Sequence, residues 1–343
     1  MEKPRMTEIH SQDTLHFIRT HRREDVRLLA LQAHRYPSVD MPAAITQIFG
    51  WQIAKEKIPA WAENENILYP VHLSLEQCSS EMTARYKAEI IRHLLEAGRQ
   101  SSEENNTPEP TESFTDLTGG FGIDCAFLSS CFRKATYVER QEALCEIARH
   151  NFPALGLDHI SVCHEDSIRY LQEMESVDWI FIDPARRDGR GGKTVAISDC
   201  EPDVSALEDL LLEKAPHVLV KLSPMLDLAL ALHDLKHVQV AHIVSVNNEC
   251  KELLLVLGRE VPIHCINLMT SQTTQCLLFT RQQEKEYSCP YTSTLKTYLY
   301  EPNASILKAG AFRSVSSIYN VEKLHPNSHL YTSDEYIPDF PGR

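Results

Sequence analysis

The chain has 343 residues, 43% of them hydrophobic, enough for two or three domains around a packed core. No apolar run approaches the roughly 20 residues of a membrane-spanning helix, and Met1-Glu-Lys-Pro-Arg5 opens without the apolar stretch of a signal peptide. The reading is therefore a cytoplasmic, soluble protein with no membrane partner. A net charge of −14 excludes a broad basic face for nucleic acid, so any such contact must come from a local basic patch or from a domain outside this chain.

Residues 1–98 read as a helical region. His21 to Tyr36 mixes charge with Val26, Leu28, Leu29 and Leu31, as a helix burying one face would. Pro42 is placed to open the next helix, which Ile45, Ile48, Phe49 and Ile53 extend through Ala43–Lys57, with Gly50 an irregularity. Trp61 reads as a packing residue. A further helix is predicted over Leu73–Leu95, with Ser74 as N-cap and Gln77 completing a capping box. Its small polar residues, Ser80 and Glu81 among them, either face a ligand or form a solvated face.

Residues 99–113 are polar and proline-bearing and read as a mobile linker. From Phe114, strands and helices alternate. Strands are predicted at 114–118, 135–139, 159–163, 178–182 and 217–222, and helices at 123–131, 141–151, 167–174 and 203–214. This is the pattern of right-handed βαβ units in a doubly wound, mainly parallel, seven-stranded α/β sheet. Val238–Val246 and Leu253–Leu257 read as a strand pair closing the sheet edge, with a further hairpin over 263–280. This α/β domain is assigned 114–285, and 286–343 a small C-terminal module without clear periodicity. Ten cysteines without a Cys-x-x-Cys pair read as buried reduced thiols, and no metal is expected.

The chemistry gathers behind the first strand. Asp116 ends it, and Gly119, Gly120 and Gly122 follow, where a ligand can lie against backbone. Gly120-Phe-Gly122 with Ala126 is a loose dinucleotide fingerprint, and Glu139 at the end of the second strand suits a ribose in either a dinucleotide or S-adenosylmethionine (SAM). Asp116 favours SAM, because a carboxylate there meets a sulfonium and an ammonium but repels a pyrophosphate. Asp166, after the third strand, reads equally as an adenine-amine acceptor or a helix N-cap. Asp183-Pro-Ala-Arg-Arg187, directly after the fourth strand, presents a carboxylate and a fixed carbonyl to a reacting group.

These residues resemble class I SAM-dependent methyltransferases. Leu75-Glu-Gln-Cys-Ser-Ser-Glu81 with Thr83-Ala-Arg-Tyr-Lys87, Asp116-Leu-Thr-Gly-Gly-Phe-Gly-Ile-Asp124, Asp183-Pro-Ala-Arg-Arg187, Lys221-Leu-Ser-Pro224, Glu249-Cys-Lys-Glu252 and Tyr300-Glu-Pro-Asn303 narrow the resemblance. It is to a bacterial family with a ferredoxin-named N-terminal region and a C-terminal THUMP-like domain. The resemblance implies that this last domain continues past Arg343 and that the substrate is RNA, tRNA or rRNA. The expected SAM contacts are Asp116, Thr118, Gly119, Gly120, Gly122, Glu139, Asp166, Ser80 and Glu81. Asp183, Pro184 and Arg186 are the expected catalytic residues, and Arg187, Arg190, Lys193, Lys221 and Ser223 the expected substrate contacts.

An exocyclic amine is the favoured target. A pyrimidine ring carbon would need a cysteine near the fifth strand, where Ser223-Pro224 stands; Cys250 is the nearest substitute. The rival readings are a protein or small-molecule methyltransferase and a SAM- or RNA-binding module without catalysis.

Overall fold

The computed structural model describes residues 11–102, 113–186, 196–257, 263–270 and 274–343. The chain forms two compact units, Met1–Asp178 and Trp179–Arg343.

The first unit opens with helices. Ser11 caps α1 (Gln12–His21), Asp25 caps α2 (Val26–Leu31) and Asp40 caps α3 (Met41–Lys57), each side chain accepting a backbone N–H of the first turn. Pro42 sits in the first turn of α3, where its missing N–H costs nothing. Phe17, Leu29, Met41, Ala44 and Ile48 bury together beneath these helices. The helix expected over His21–Tyr36 is shorter than predicted, because Asp25 caps a new start and only Val26–Leu31 is α-helical. Gly50 lies mid-helix for a packing reason: a Cβ there would stand 2.2 Å from the Tyr69 Cβ. Trp61, in the one-turn α4 (Pro59–Ala62), is buried.

The single helix expected over Leu73–Leu95 is two: α5 (His72–Gln77) and α6 (Glu81–Ser102). Ser80 restarts the helix, its hydroxyl accepting the Thr83 N–H at 3.3 Å. Ser74 is not the N-cap; α5 begins after Val71 with no side-chain cap. The expected linker is shorter as well, since Arg99–Ser102 continue α6 and Ser113 begins a strand; 103–112 lie outside the described residues.

Three parallel strands follow in the order β1 (Ser113–Asp116), β2 (Lys134–Glu139), β3 (Ile160–His164). Helices α7 (Ile123–Ser129), α8 (Glu142–Ala154) and α9 (Ser167–Glu173) come after them in turn.

The second unit begins with β4 (Trp179–Ile182), then a two-residue β5 (Ala185–Arg186) paired antiparallel with β6 (Cys200–Glu201). Next come α10 (Val204–Lys214), β7 (His217–Leu222), α11 (Leu228–Asp234), β8 (Val238–Val246), β9 (Glu249–Leu257), β10 (Ile263–Leu268) and β11 (Thr274–Phe279). Its ladder runs β4-β7-β9-β8-β10-β11. The β8–β9 pair does not close the edge. Hairpin β10–β11 joins beyond it through a parallel β10–β8 pairing; the six strands of this ladder and the three of the first unit outnumber the seven expected. Asn247 and Asn248 make the β8–β9 turn at positive φ, so β9 starts earlier than its apolar run.

A small module completes the unit: α12 (Arg281–Glu286), β12 (Tyr298–Tyr300), α13 (Ala304–Ala309), α14 (Phe312–Tyr319), β13 (Glu322–Lys323) and β14 (Tyr331–Ser333), with its strands in the antiparallel order β12-β14-β13. The fold is the α/β class with a mainly parallel sheet that the sequence predicts. All ten cysteines are free, but only Cys125, Cys145, Cys200 and Cys265 are buried, and Cys276 is exposed. Alternation on the outer hairpin turns Cys276 outward.

Candidate active site

Asp116 and Glu139 end neighbouring parallel strands, β1 and β2, with the glycine turn between them. Both are buried. The Asp116 Oδ1 accepts the Thr118 N–H at 2.9 Å and starts the turn. The turn is then tied along its length to β2. The Gly119 N–H donates to the Val138 carbonyl at 2.9 Å, and the Gly120 N–H to Glu139 Oε2 at 2.9 Å. The Tyr137 hydroxyl donates to the Gly120 carbonyl at 2.5 Å. Burial, then the Glu139 charge, pushes this hydroxyl well above the usual tyrosine range, so it stays a donor.

The three glycines are required for different reasons. At Gly119 a Cβ would stand 2.2 Å from the Tyr137 ring. Gly122, at φ +90°, caps the start of α7 in the left-handed region, and a Cβ there would stand 3.0 Å from the Phe152 ring. Gly120, at φ +53°, is the open one: a Cβ there meets nothing closer than the Thr118 carbonyl at 3.9 Å. That leaves room for a ligand against the backbone. Glu139 keeps acceptor capacity for such a ligand, because each oxygen takes one N–H, Oε1 from Gln141 at 2.8 Å and Oε2 from Gly120 at 2.9 Å.

The helical region braces this turn from behind. Trp61 packs edge-on against Phe121, the residue between Gly120 and Gly122, at 5.1 Å between ring centroids. Lys87, fully buried on α6, pairs with Asp124 Oδ1 at 3.1 Å in the first turn of α7. The Ser79 hydroxyl donates to Asp124 Oδ2 at 2.7 Å, and the Lys87 ammonium reaches the Ser79 oxygen at 3.2 Å. The sequence reading placed Ser79 and Lys87 on a surface that faces a ligand or solvent and Asp124 at the end of the glycine motif, but it missed that the three pair with one another, and it missed Tyr137. Lys87 had a signal: it falls in the stripe Thr83, Ala84, Ala88, Ile91, all buried on α6.

The remaining expected SAM contacts do structural work. Ser80 caps α6, while Glu81 accepts the Ala60 N–H at 2.8 Å and pairs with Arg85 at 2.6 Å. Asp166 Oδ1 caps α9, accepting from Ile168 at 3.0 Å and Arg169 at 3.1 Å. Its carboxylate is exposed, so the cap leaves Oδ2 in solvent reach.

In the second unit, Asp183 follows β4 and Pro184 is buried behind it. Lys221, near the end of β7, holds Asp183 Oδ2 at 2.5 Å. The expected substrate contact Lys221 is thus an ion-pair partner of the expected acceptor. The Ser223 hydroxyl accepts the Met225 N–H at 3.3 Å in the turn after β7. Arg186 forms β5 with its backbone. Arg187, Arg190 and Lys193 lie outside the described residues.

A family profile described as a ferredoxin-like domain matches residues 298–341. The ferredoxin name thus falls on the C-terminal module, not on the N-terminal region where the resemblance put it. The crystal structure of a putative methyltransferase from Porphyromonas gingivalis W83 matches with a TM-score of 0.82 at 35% identity, over 100% of this chain and 82% of that one. The chain belongs to that methyltransferase family. An rRNA methylase from Streptococcus thermophilus is 14% identical over 43% of this chain and 88% of that one, with a TM-score of 0.33. The structure of a putative methyltransferase from Streptococcus mutans in complex with SAH is 14% identical over 33% of this chain and 64% of that one, with a TM-score of 0.26. At that similarity neither speaks to the chemistry of this chain. No curated protein matches it.

In this methyltransferase, then, one unit brings together Asp116, Thr118, Gly119, Gly120, Gly122 and Glu139, six of the nine expected cofactor contacts. The other unit joins Asp183 to Lys221.

Proposed function

We propose that the methyltransferase uses SAM and methylates an exocyclic amine of a base in structured RNA, tRNA or rRNA. The observation that carries the cofactor reading is the glycine turn: two buried carboxylates, Asp116 and Glu139, at either end of a turn whose Gly120 has open space where a side chain would be. These residues fit SAM. Gly120 lets its amino-acid end lie against backbone, Asp116 carries the charge opposite to its ammonium, and Glu139 has acceptor capacity for the ribose hydroxyls.

When bound, SAM supplies a methyl group on a sulfonium, with a neutral thioether as leaving group. Asp116, Gly120 and Glu139 would hold it, and the methyl transfer it would support replaces the C–S bond by an N–C bond and frees one proton from the amine. Asp183 accepts the N–H of the amine and takes that proton. The Pro184 carbonyl, on a residue whose φ the ring fixes, accepts the second N–H. Lys221 orients the Asp183 carboxylate through their ion pair. Orientation of this kind supplies ~7–11 kcal/mol in well-aligned reactions. Arg186, Arg187, Arg190 and Lys193 make a local basic run in an acidic chain, suited to phosphate contact.

An amine is favoured over a pyrimidine ring carbon because Ser223-Pro224 stands where a ring-carbon enzyme needs its cysteine, and the thiol of Cys250, the nearest substitute, is pushed up to about 11, mainly by burial. Mass spectrometry of nucleosides from cells with and without the gene tests the reading. One N-methylated nucleoside should disappear with the gene. An unchanged profile would sink the RNA reading, and loss of a C-methylated pyrimidine would sink the amine.

A further inference from the structure

A cavity of about 150 Å³ opens in the first unit, with none of the glycine-turn residues in its lining. Arg19 and Arg22 at the end of α1, Trp51 on α3, Tyr69 and His150 on α8 are among its walls. The wall is preformed. The Gln47 amide bonds the Tyr69 backbone at both ends, each at 2.9 Å, and the Asn151 amide does the same for Leu68, each at 2.9 Å. His150 Nε2 donates to the Asn66 carbonyl at 2.7 Å.

Two features of this wall lack an explanation within the fold. Tyr69 is 3% exposed, yet its hydroxyl meets no hydrogen-bond partner among the described residues. A buried hydroxyl is costly to leave unpaired, and such groups mark missing ligands or waters. Burial pushes this hydroxyl above the usual tyrosine range, and the Arg22 charge acts the other way, so it stays a protonated donor. The second feature is charge. Arg19 and Arg22 share the single carboxylate of Glu65, at 3.7 and 3.8 Å. Such long, half-exposed pairs hold little energy. Arg22 also lies over the Trp51 ring, 4.7 Å from its centroid.

The cavity therefore offers an aromatic wall and two guanidinium groups, with the Tyr69 hydroxyl shut off from solvent behind that wall. A volume of this order holds one benzene-sized ring, and a fused purine exceeds it. Paired guanidiniums match phosphate oxygens. We propose that this cavity binds a pyrimidine nucleotide, its ring beside Trp51 and Tyr69 and its phosphate on Arg19 and Arg22. The inference deepens the RNA reading and rests on it for the source of the nucleotide, a strand of the substrate as against a free mononucleotide. Tyr69 also lies 6.3 Å from Phe121 of the glycine turn, ring centroid to ring centroid, so an occupied cavity abuts the turn.

Calorimetry on the full chain tests it with UMP, AMP and an oligouridine. UMP should bind, and AMP should bind more weakly. Arg19→Ala and Arg22→Ala should each weaken UMP roughly tenfold, the worth of one charge-assisted hydrogen bond. Leu15→Trp, which fills the cavity, should abolish binding, with melting temperatures of all three variants near wild type. Oligouridine competing with UMP identifies the strand as the source. Two results overturn the proposal: no UMP binding at millimolar concentration, or equal binding in all three variants. If RNA is methylated but UMP never binds, the cavity inference fails alone. If UMP binds, oligouridine does not compete and RNA gains no label, the RNA reading fails and the cavity stands as a mononucleotide site.

Discussion

The ring of Tyr137 occupies the space that a side chain at position 119 would need, and its hydroxyl holds the next carbonyl of the turn. Gly119→Ala must therefore displace a fully buried ring. Overpacking of this kind costs ~1–3 kcal/mol, and urea denaturation should show it as a lower midpoint at an unchanged slope. An unaltered midpoint would mean that the turn yields more easily than its bonds to β2 imply. The glycines were legible in the sequence because glycines clustered behind a β-rich run have few other uses. Tyr137 was not, because its task lies across a strand pairing, and nothing local to Ala135–Glu139 separates a tyrosine that packs from one that braces a turn. Asp166 shows the opposite limit. Its capping role was readable from local chain chemistry, and its exposed oxygen is a fact only of the folded chain.

At the scale of elements, α6 is the brace of the site. It carries the fully buried Lys87, paired with Asp124 at the start of α7. Removing one partner of a buried pair strands the other charge, which costs about 3–5 kcal/mol. Lys87→Met should thus destabilise the fold by that order in chemical denaturation. The double variant Lys87→Met with Asp124→Leu should recover most of the loss, because it leaves no stranded charge. A double variant no better than the single one would show that the pair has no coupling. The break between α5 and α6 was hidden from the sequence for a related reason. Ser74 and Ser80 are both competent N-caps locally. The choice falls to partners far along the chain, Ala60 for Glu81 and Asp124 for Ser79.

For the whole molecule, the alternation of strands and helices made the fold class readable, while the added hairpin β10–β11 depends on a parallel pairing with β8 that no local pattern announces. The same pairing stacks His242 of β8 on His264 of β10, with 4.5 Å between ring centroids. Burial first, then His264, lowers His242 from 6.5 to about 3, and burial lowers His264 as well. The unfolded chain therefore takes up a proton at His242 below pH 6.5 that the folded chain refuses. Stability is fully present above that pH and falls as the pH drops, by ~1.4 kcal/mol per unit, or about 2 kcal/mol at pH 5. Urea midpoints between pH 7.5 and 5 should show this slope, and His242→Phe should flatten it. Equal slopes in the two proteins would remove His242 as the cause.

The central claim is that Asp183 serves methyl transfer from SAM to RNA. Its most direct test is transfer of a labelled methyl group from SAM into RNA by wild type and by Asp183→Ala, with SAM binding measured on both. The account predicts label in RNA with wild type, and SAM binding kept but label largely lost with Asp183→Ala. Undiminished labelling by Asp183→Ala, or label that enters protein and never RNA, would contradict it.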